Sequence, residues 1–216
     1  MTDSYRHKGL RKQLVAELER LGISDKRVLE AINKVPRHAF MSSAFLEFAY
    51  ENRAFSIAAG QTISQPFTVA RQSELLRVNP GDKVLEVGTG SGYQAAVLAA
   101  MGVKVYSIER HKVLHDGAKL VLQKLNYRVH SVYGDGYKGL PAFAPFMGVI
   151  ITCAVPRIPE LLIDQLEAGG RLVMPFGDGA VQEMIVLTKN SDGSLQEEKH
   201  GTFSFVPMLE KRVDVS

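Results

Sequence analysis

Three glycines spaced two apart, Gly88, Gly90 and Gly92, follow a short apolar run of Val84, Leu85 and Val87. The run is brief and rich in β-branched residues, so it reads as a buried strand rather than a helix. Beyond the glycines, Ala95, Ala96, Val97, Leu98, Ala99 and Ala100 read as a buried helix that ends near Gly102. Strand, glycine turn and helix make the first half of a nucleotide-binding unit. Glycines let the backbone turn tightly and let a ligand approach without meeting a Cβ.

The spacing discriminates between ligands. A dinucleotide site needs G-x-G-x-x-G or A, and here Tyr93 holds the last position. Glu86 precedes the glycines. A carboxylate beside this loop repels a pyrophosphate and suits a cation, such as the ammonium and sulfonium of S-adenosylmethionine. A second strand, residues 103–108, leads to Glu109, about 20 residues past the turn, where a ribose-binding acid belongs. One carboxylate there can accept both ribose hydroxyls. The plainer alternative is a turn between packed elements with both acids solvated.

The chain has 216 residues, enough for one large domain with a full core. Hydrophobic residues make up 45 % and charged residues 23 %, as in an ordinary globule. A net charge of +3, spread along the chain, argues against nucleic acid as a partner. The single cysteine, Cys153, excludes an internal disulfide and suggests a reducing compartment. No apolar run reaches membrane-spanning length, and residues 1–12 lack the apolar stretch of a signal peptide. The expectation is a monomer in the cytoplasm, with no membrane and no nucleic acid.

Before the glycine unit, Leu10, Leu14, Val15, Leu18 and Leu21 fall at helical spacing and stop at Gly22. A second helix starts at Ser24 or Asp25 and carries Val28, Leu29 and Ile32 on one face. Phe40, Phe45, Phe48 and Tyr50 mark an aromatic connector, read as core. Pro66 fits the first turn of a helix running to Val78, and spacing alone makes Thr62 and Ser64 capping residues.

After the unit, residues 111–125 read as a helix and 129–133 as a strand. Gly134-Asp135-Gly136 turns at its carboxyl end, which puts Asp135 where an adenine amino group could be met. His111 and His115 stand four apart without a third ligand, so no metal site is expected. Residues 148–152 read as a strand, 160–166 as a helix and 171–176 as a strand. Residues 181–188 and 201–208 read as two further strands around a turn at 190–193. Consecutive strands without a helix imply an antiparallel end to a parallel sheet.

These motifs resemble the protein-L-isoaspartate O-methyltransferases. Gln61-Thr62-Ile63-Ser64-Gln65-Pro66 is the most specific match, and residues 84–93, Gly134-Asp135-Gly136 and Gly169-Gly170-Arg171-Leu172-Val173 agree as well. The resemblance runs from Val35-Pro36-Arg37 to Phe205-Val206-Pro207. It implies a Rossmann-like class I methyltransferase of α/β class, with a mostly parallel sheet, an antiparallel end and added N-terminal helices. Residues 1–216 are then one domain, with 1–80 on the substrate side and 81–216 holding the cofactor. The resemblance implies S-adenosylmethionine bound by Thr62, Ile63, Glu86, Gly88, Thr89, Gly90, Glu109, Asp135 and Gly136, with Ser64 as the active-site residue. Two stretches depart from the pattern: Ala58-Ala59, where a glycine is usual, and Met147-Gly148, where Asp-Ala is usual. Both are expected near the cofactor or substrate side.

The resemblance implies methyl transfer to the α-carboxylate of an L-isoaspartyl residue in a peptide or protein. The ester then collapses to a succinimide that hydrolyses partly to aspartate. A carboxylate with a pKa of about 3.5 is already ionised at neutral pH, so no general base is needed. Ser64 is therefore read as a hydrogen-bond donor that orients the carboxylate. The alternatives are a methyltransferase of small molecules, which has no reason to carry residues 61–66, and a non-catalytic S-adenosylmethionine-binding module, which would show no turnover.

Overall fold

In a computed structural model, residues 3–213 are described. The chain begins with α1 (Tyr5–Arg20), whose N-cap Ser4 accepts from the His7 amide, and α2 (Lys26–Lys34), capped by the Asp25 side chain on the Arg27 amide. A connector comes next, made of short 3₁₀ turns and a two-residue hairpin, β1 (Phe55–Ser56) with β2 (Thr62–Ile63). Then comes α3 (Pro66–Leu75) with Pro66 in its first turn.

Thr62 and Ser64 do not cap α3. Thr62 is consumed in β2, and the Phe67 amide is instead met by Asn52 Oδ1 at 2.9 Å. The cap comes from 15 residues upstream, beyond the reach of local spacing.

The rest alternates strand and helix: β3 (Lys83–Val87), α4 (Tyr93–Ala100), β4 (Lys104–Glu109), α5 (Lys112–Lys124), β5 (Val129–Tyr133), β6 (Phe146–Ile151), α6 (Glu160–Asp164) and β7 (Leu166–Phe176). Two more strands, β8 (Gln182–Lys189) and β9 (Leu195–Phe203), complete a seven-stranded sheet in the order β5-β4-β3-β6-β7-β8-β9. The strands from β5 to β7 are parallel; β7–β8 and β8–β9 pair antiparallel. The last strand lies earlier than its expected 201–208. Its sequence is polar and its side chains mostly exposed, as suits a sheet edge, so no apolar alternation announces it.

The pleat sends Val84, Val105, Ile150 and Val173 to one face, under α1 to α4. Leu85, Val87, Val149, Ile151 and Leu172 go to the other, where Leu162 of α6 packs. Leu14, Leu18, Val28 and Ile32, each at most 2 % exposed, join the first face's core. Burying such a side chain contributes about 1.5–3 kcal/mol. Met147 and Gly148 lie at the amino end of β6, where Gly148 packs against Leu76, Val78 and Val84. They are thus at the opposite end of the sheet from the cofactor or substrate side where the sequence placed them.

Candidate active site

A cavity of about 940 Å³ opens at the carboxyl ends of β3 and β4, where an open α/β sheet binds its ligands. Three stretches wall it: the glycine loop 88–91, residues 61–65 before α3, and residues 200–209 after the middle of β9. Glu109, Gly136, Thr152 and Cys153 close the floor.

The glycine loop is held tightly. Gly88 has φ +97°, and a Cβ there would stand 2.4 Å from Thr152 Oγ1. That hydroxyl donates to the Gly88 carbonyl at 2.6 Å, tying the loop to the end of β6. Gly90, at φ +53°, has no neighbour closer than 3.9 Å where its Cβ would stand. Its bare side therefore faces space that a ligand can fill.

Glu109 is 4 % exposed and spans both parts of the site. Its Oε2 accepts from the Gly90 amide at 2.9 Å, and its Oε1 from the His111 amide at 2.8 Å. Each oxygen keeps further acceptor capacity. Among the described residues Glu109 is the one carboxylate lining the cavity.

Glu86 does not reach the cavity. The pleat points it with Val84 toward α4, where it is fully buried. Ser107, its register partner on β4, donates to Glu86 Oε2, and Thr89 Oγ1 lies 2.5 Å from the same Ser107 hydroxyl. Among the described residues Glu86 Oε1 has no partner in hydrogen-bonding geometry, although the nearby Ala95 amide of α4 favours the ionised form. Burial first, and the charge of Glu109 after it, push its pKa up to about 8. The side chain is a neutral acid at pH 7 and supports the loop from beneath, so the expected direct contact with a cation is corrected.

Asp135 is displaced too. It opens on a separate depression of about 360 Å³ beside Lys138, Lys211 and Arg212. Its Oδ1 accepts from the Tyr137 amide at 3.0 Å and its Oδ2 from the Lys211 amide at 3.1 Å. The returning C-terminal segment thus takes up the carboxylate that the sequence placed at an adenine. Thr62, Ile63, Ser64, Gly88, Thr89, Gly90 and Gly136 all line the main cavity. The Thr89 hydroxyl is turned to Ser107, so its backbone forms the wall.

Sequence reasoning missed the segment after β9. Ala154 donates its amide to Val206 O at 2.8 Å, and Met208 donates to Ala154 O at 2.7 Å. These bonds lay residues 204–209 across the end of β6 as a wall. Phe205-Val206-Pro207 was the available signal. His111 lines the cavity, whereas the buried His115 pairs with Asp116 at 2.9 Å. The group of three potential metal ligands found among the described residues is Asp3, His7 and His38, none of which lines the cavity. There the Asp3 carboxylate is already taken by both terminal nitrogens of Arg11, each at 2.7 Å.

A parallel sheet with a glycine turn after β3 and a ribose-placed acid after β4 is the core of a class I methyltransferase. Comparison with known proteins narrows this. The family model of protein-L-isoaspartate(D-aspartate) O-methyltransferase matches residues 9–213, and the chain belongs to that family. A protein-L-isoaspartate O-methyltransferase of Flavobacterium johnsoniae is 52 % identical over 213 residues, covering 98 % of this chain and 100 % of the relative. One from Salinibacter ruber is 46 % identical, covering 96 % and 94 %. A solved protein-L-isoaspartate O-methyltransferase superposes with a TM-score of 0.83 at 29 % identity, covering 91 % of this chain; the chain spans 65 % of that longer one. A Plasmodium falciparum structure in complex with S-adenosyl-L-homocysteine shares the fold, with a TM-score of 0.76 at 23 % identity, covering 92 % and 98 %.

Proposed function

We propose that this cavity carries methyl transfer from S-adenosylmethionine to the α-carboxylate of an L-isoaspartyl residue in a peptide or protein. The observation that carries it is the convergence of residues 61–65 with the glycine loop and Glu109 on one cavity. A small-molecule methyltransferase needs only the latter two. The volume, about 940 Å³, lies near the upper end for ligand pockets and suits a nucleoside donor with a peptide residue beside it.

The residues fit the donor. The bare face of Gly90 admits a close approach, and Glu109 faces that approach with acceptor capacity left over. S-adenosylmethionine supplies an electrophilic methyl group on its sulfonium. Glu109 accepts from the ribose hydroxyls, while the backbones of Gly88, Thr89, Gly90 and Gly136, with Thr62 and Ile63, shape the rest of its seat. Ser64 stands half-buried at the entrance to α3, and its hydroxyl orients the attacking carboxylate. The amino end of the α3 dipole favours an anion there, although Pro66 has no amide hydrogen and the Phe67 amide is taken by Asn52. The acceptor is already ionised, so alignment and exclusion of water do the work, with no base. Ile63 and Met208, 2 % and 7 % exposed, supply apolar wall.

The reading includes a monomer that acts in the cytoplasm on isoaspartyl peptides and proteins, without nucleic acid or membrane. Its supports are the balanced charge and lone cysteine. No helix among the described residues is long and apolar enough to cross a membrane. The test is a methyl-transfer assay with an isoaspartyl peptide, its aspartyl twin and a panel of small acids. Turnover is expected on the isoaspartyl peptide alone; turnover confined to the small acids overturns the reading.

A further inference from the structure

Arg37 is fully buried, yet no carboxylate among the described residues pairs with it. It sits in the 3₁₀ turn Arg37–Phe40 after α2. Its Nη1 donates to Ala49 O at 2.6 Å, and its Nη2 to Arg53 O at 2.8 Å and Ser64 O at 3.2 Å. The guanidinium lies over the rings of Phe55 and Tyr93, 5.6 and 5.7 Å from their centroids. Its Nε has no hydrogen-bond partner among the described residues. Burial pulls its pKa down to about 10, which leaves it charged at neutral pH.

Burying an unpaired cation opposes folding, and an apolar side chain would fill the same space without that cost. What an apolar side chain cannot do is gather three carbonyls that lie 12, 16 and 27 residues down the chain. The stretch they come from has little regular structure of its own, only 3₁₀ turns and the two-residue strands β1 and β2. Its path therefore depends on outside contacts. The most distant of the three carbonyls belongs to Ser64, on the cavity wall. We infer that Arg37 is a positioning residue for methyl transfer: its guanidinium fixes the backbone at Ser64 and so the direction of the Ser64 hydroxyl. The inference rests on the reading of Ser64 as the group that orients the substrate carboxylate.

A lysine at this position keeps the charge but cannot span three carbonyls with a planar fork. Misplacing a substrate-orienting group by about 1 Å costs on the order of 100-fold in rate. Arg37→Lys is therefore expected to lower kcat by roughly that factor, with a smaller change in peptide KM. S-adenosylmethionine binding should stay within about twofold of wild type. Calorimetric binding stoichiometry counts the folded, cofactor-competent protein, so kcat is normalised to it even where the variant folds poorly. The deciding measurement is a double-mutant cycle with Ser64→Ala. Arg37→Lys should cost less than about 3-fold in the Ser64→Ala background, because the group it positions is gone. Additive losses overturn the inference and leave the Ser64 reading standing. An undiminished kcat in Arg37→Lys overturns it as well. If Ser64→Ala alone costs nothing, the Ser64 reading fails, and the inference falls with it.

Discussion

Glu109 does two things with one carboxylate, holding the Gly90 amide and facing the ligand space. Losing a charged acceptor costs about 1.5–3 kcal/mol. Glu109→Ala should weaken S-adenosylmethionine binding by roughly 10- to 150-fold. Calorimetry on folded variant showing wild-type affinity would rule the role out. Glu86 makes a different prediction, because its folded pKa of about 8 lies above the ordinary value of 4.5. Between those values the folded state holds a proton that the unfolded state has released. Stability from this group is complete below about pH 4.5 and is lost as pH rises through about 8, with a slope of at most about 1.4 kcal/mol per pH unit. Glu86→Gln cannot titrate, so its stability should depend less on pH between 5 and 8 than that of wild type. Parallel urea-melt profiles of the two proteins across that window would show that Glu86 is ionised when folded. Cys153 also lines the cavity, but burial pushes its thiol up to about 12, so it is no thiolate nucleophile at neutral pH. Cys153→Ser should retain most methyl-transfer activity, and a thousandfold loss in folded protein would contradict this.

At the scale of elements, the connector between α2 and α3 carries visible strain. Ala59 has φ +57° and ψ +28°, a left-handed conformation that costs a residue with a Cβ roughly 1–2 kcal/mol. It lies in the stretch where the family pattern has a glycine. Glycine loses about 0.5–1 kcal/mol through its freer unfolded chain, so Ala59→Gly should still be neutral or stabilising by up to about 1 kcal/mol. Gly60 has φ +65°, and Gly60→Ala should destabilise by a comparable amount. Thermal melts decide the pair; a destabilised Ala59→Gly would mean the left-handed turn is not strained. The glycine unit was legible because its chemistry is local: a turn needs φ above zero, and a strand needs a short apolar run. Residues 61–66 were legible as a site only by resemblance, since spacing alone makes Thr62 and Ser64 caps that α3 does not use. The direction of Glu86 was legible as well, since it shares the pleat with Val84, but proximity to the loop was mistaken for facing it. The Asn52 cap on α3 and the reach of Arg37 were not legible, and the wall after β9 was signalled only by Phe205-Val206-Pro207. Each depends on contacts between residues far apart in the chain, and the polar edge strand β9 has no periodicity from which the position of residues 204–209 could be read.

For the whole molecule, the N-terminal helices and the sheet share one apolar cluster. Leu14 and Leu18 of α1 and Val28 and Ile32 of α2 belong to the same buried set as Val84, Leu98 and Ile150. Two buried hydrogen bonds strengthen the join: Gln72 Nε2 of α3 donates to Ile151 O of β6 at 2.9 Å, and Gln94 Nε2 of α4 donates to Ser73 Oγ of α3 at 2.8 Å. The substrate-side wall at residues 61–65 hangs between these helices and the glycine loop, so its geometry depends on both halves staying together. We therefore propose that residues 1–80 and 81–216 unfold as one unit. Leu18, fully buried, is the probe. Leu18→Ala should cost about 2–5 kcal/mol from lost burial and the cavity left behind. At about 2–4 °C per kcal/mol for a chain of this size, the melting temperature should fall by roughly 4–20 °C. Because the cluster is shared, the loss should move the whole transition, with far-UV and near-UV circular dichroism melting together. Saturating S-adenosylmethionine at about 100 times its Kd adds about 2.7 kcal/mol, and should raise the melting temperature of wild type and variant alike, since Leu18 is absent from the cavity wall. An early separate transition in Leu18→Ala, with the cofactor-stabilised transition left at its wild-type temperature, would show that the helices are an independent unit.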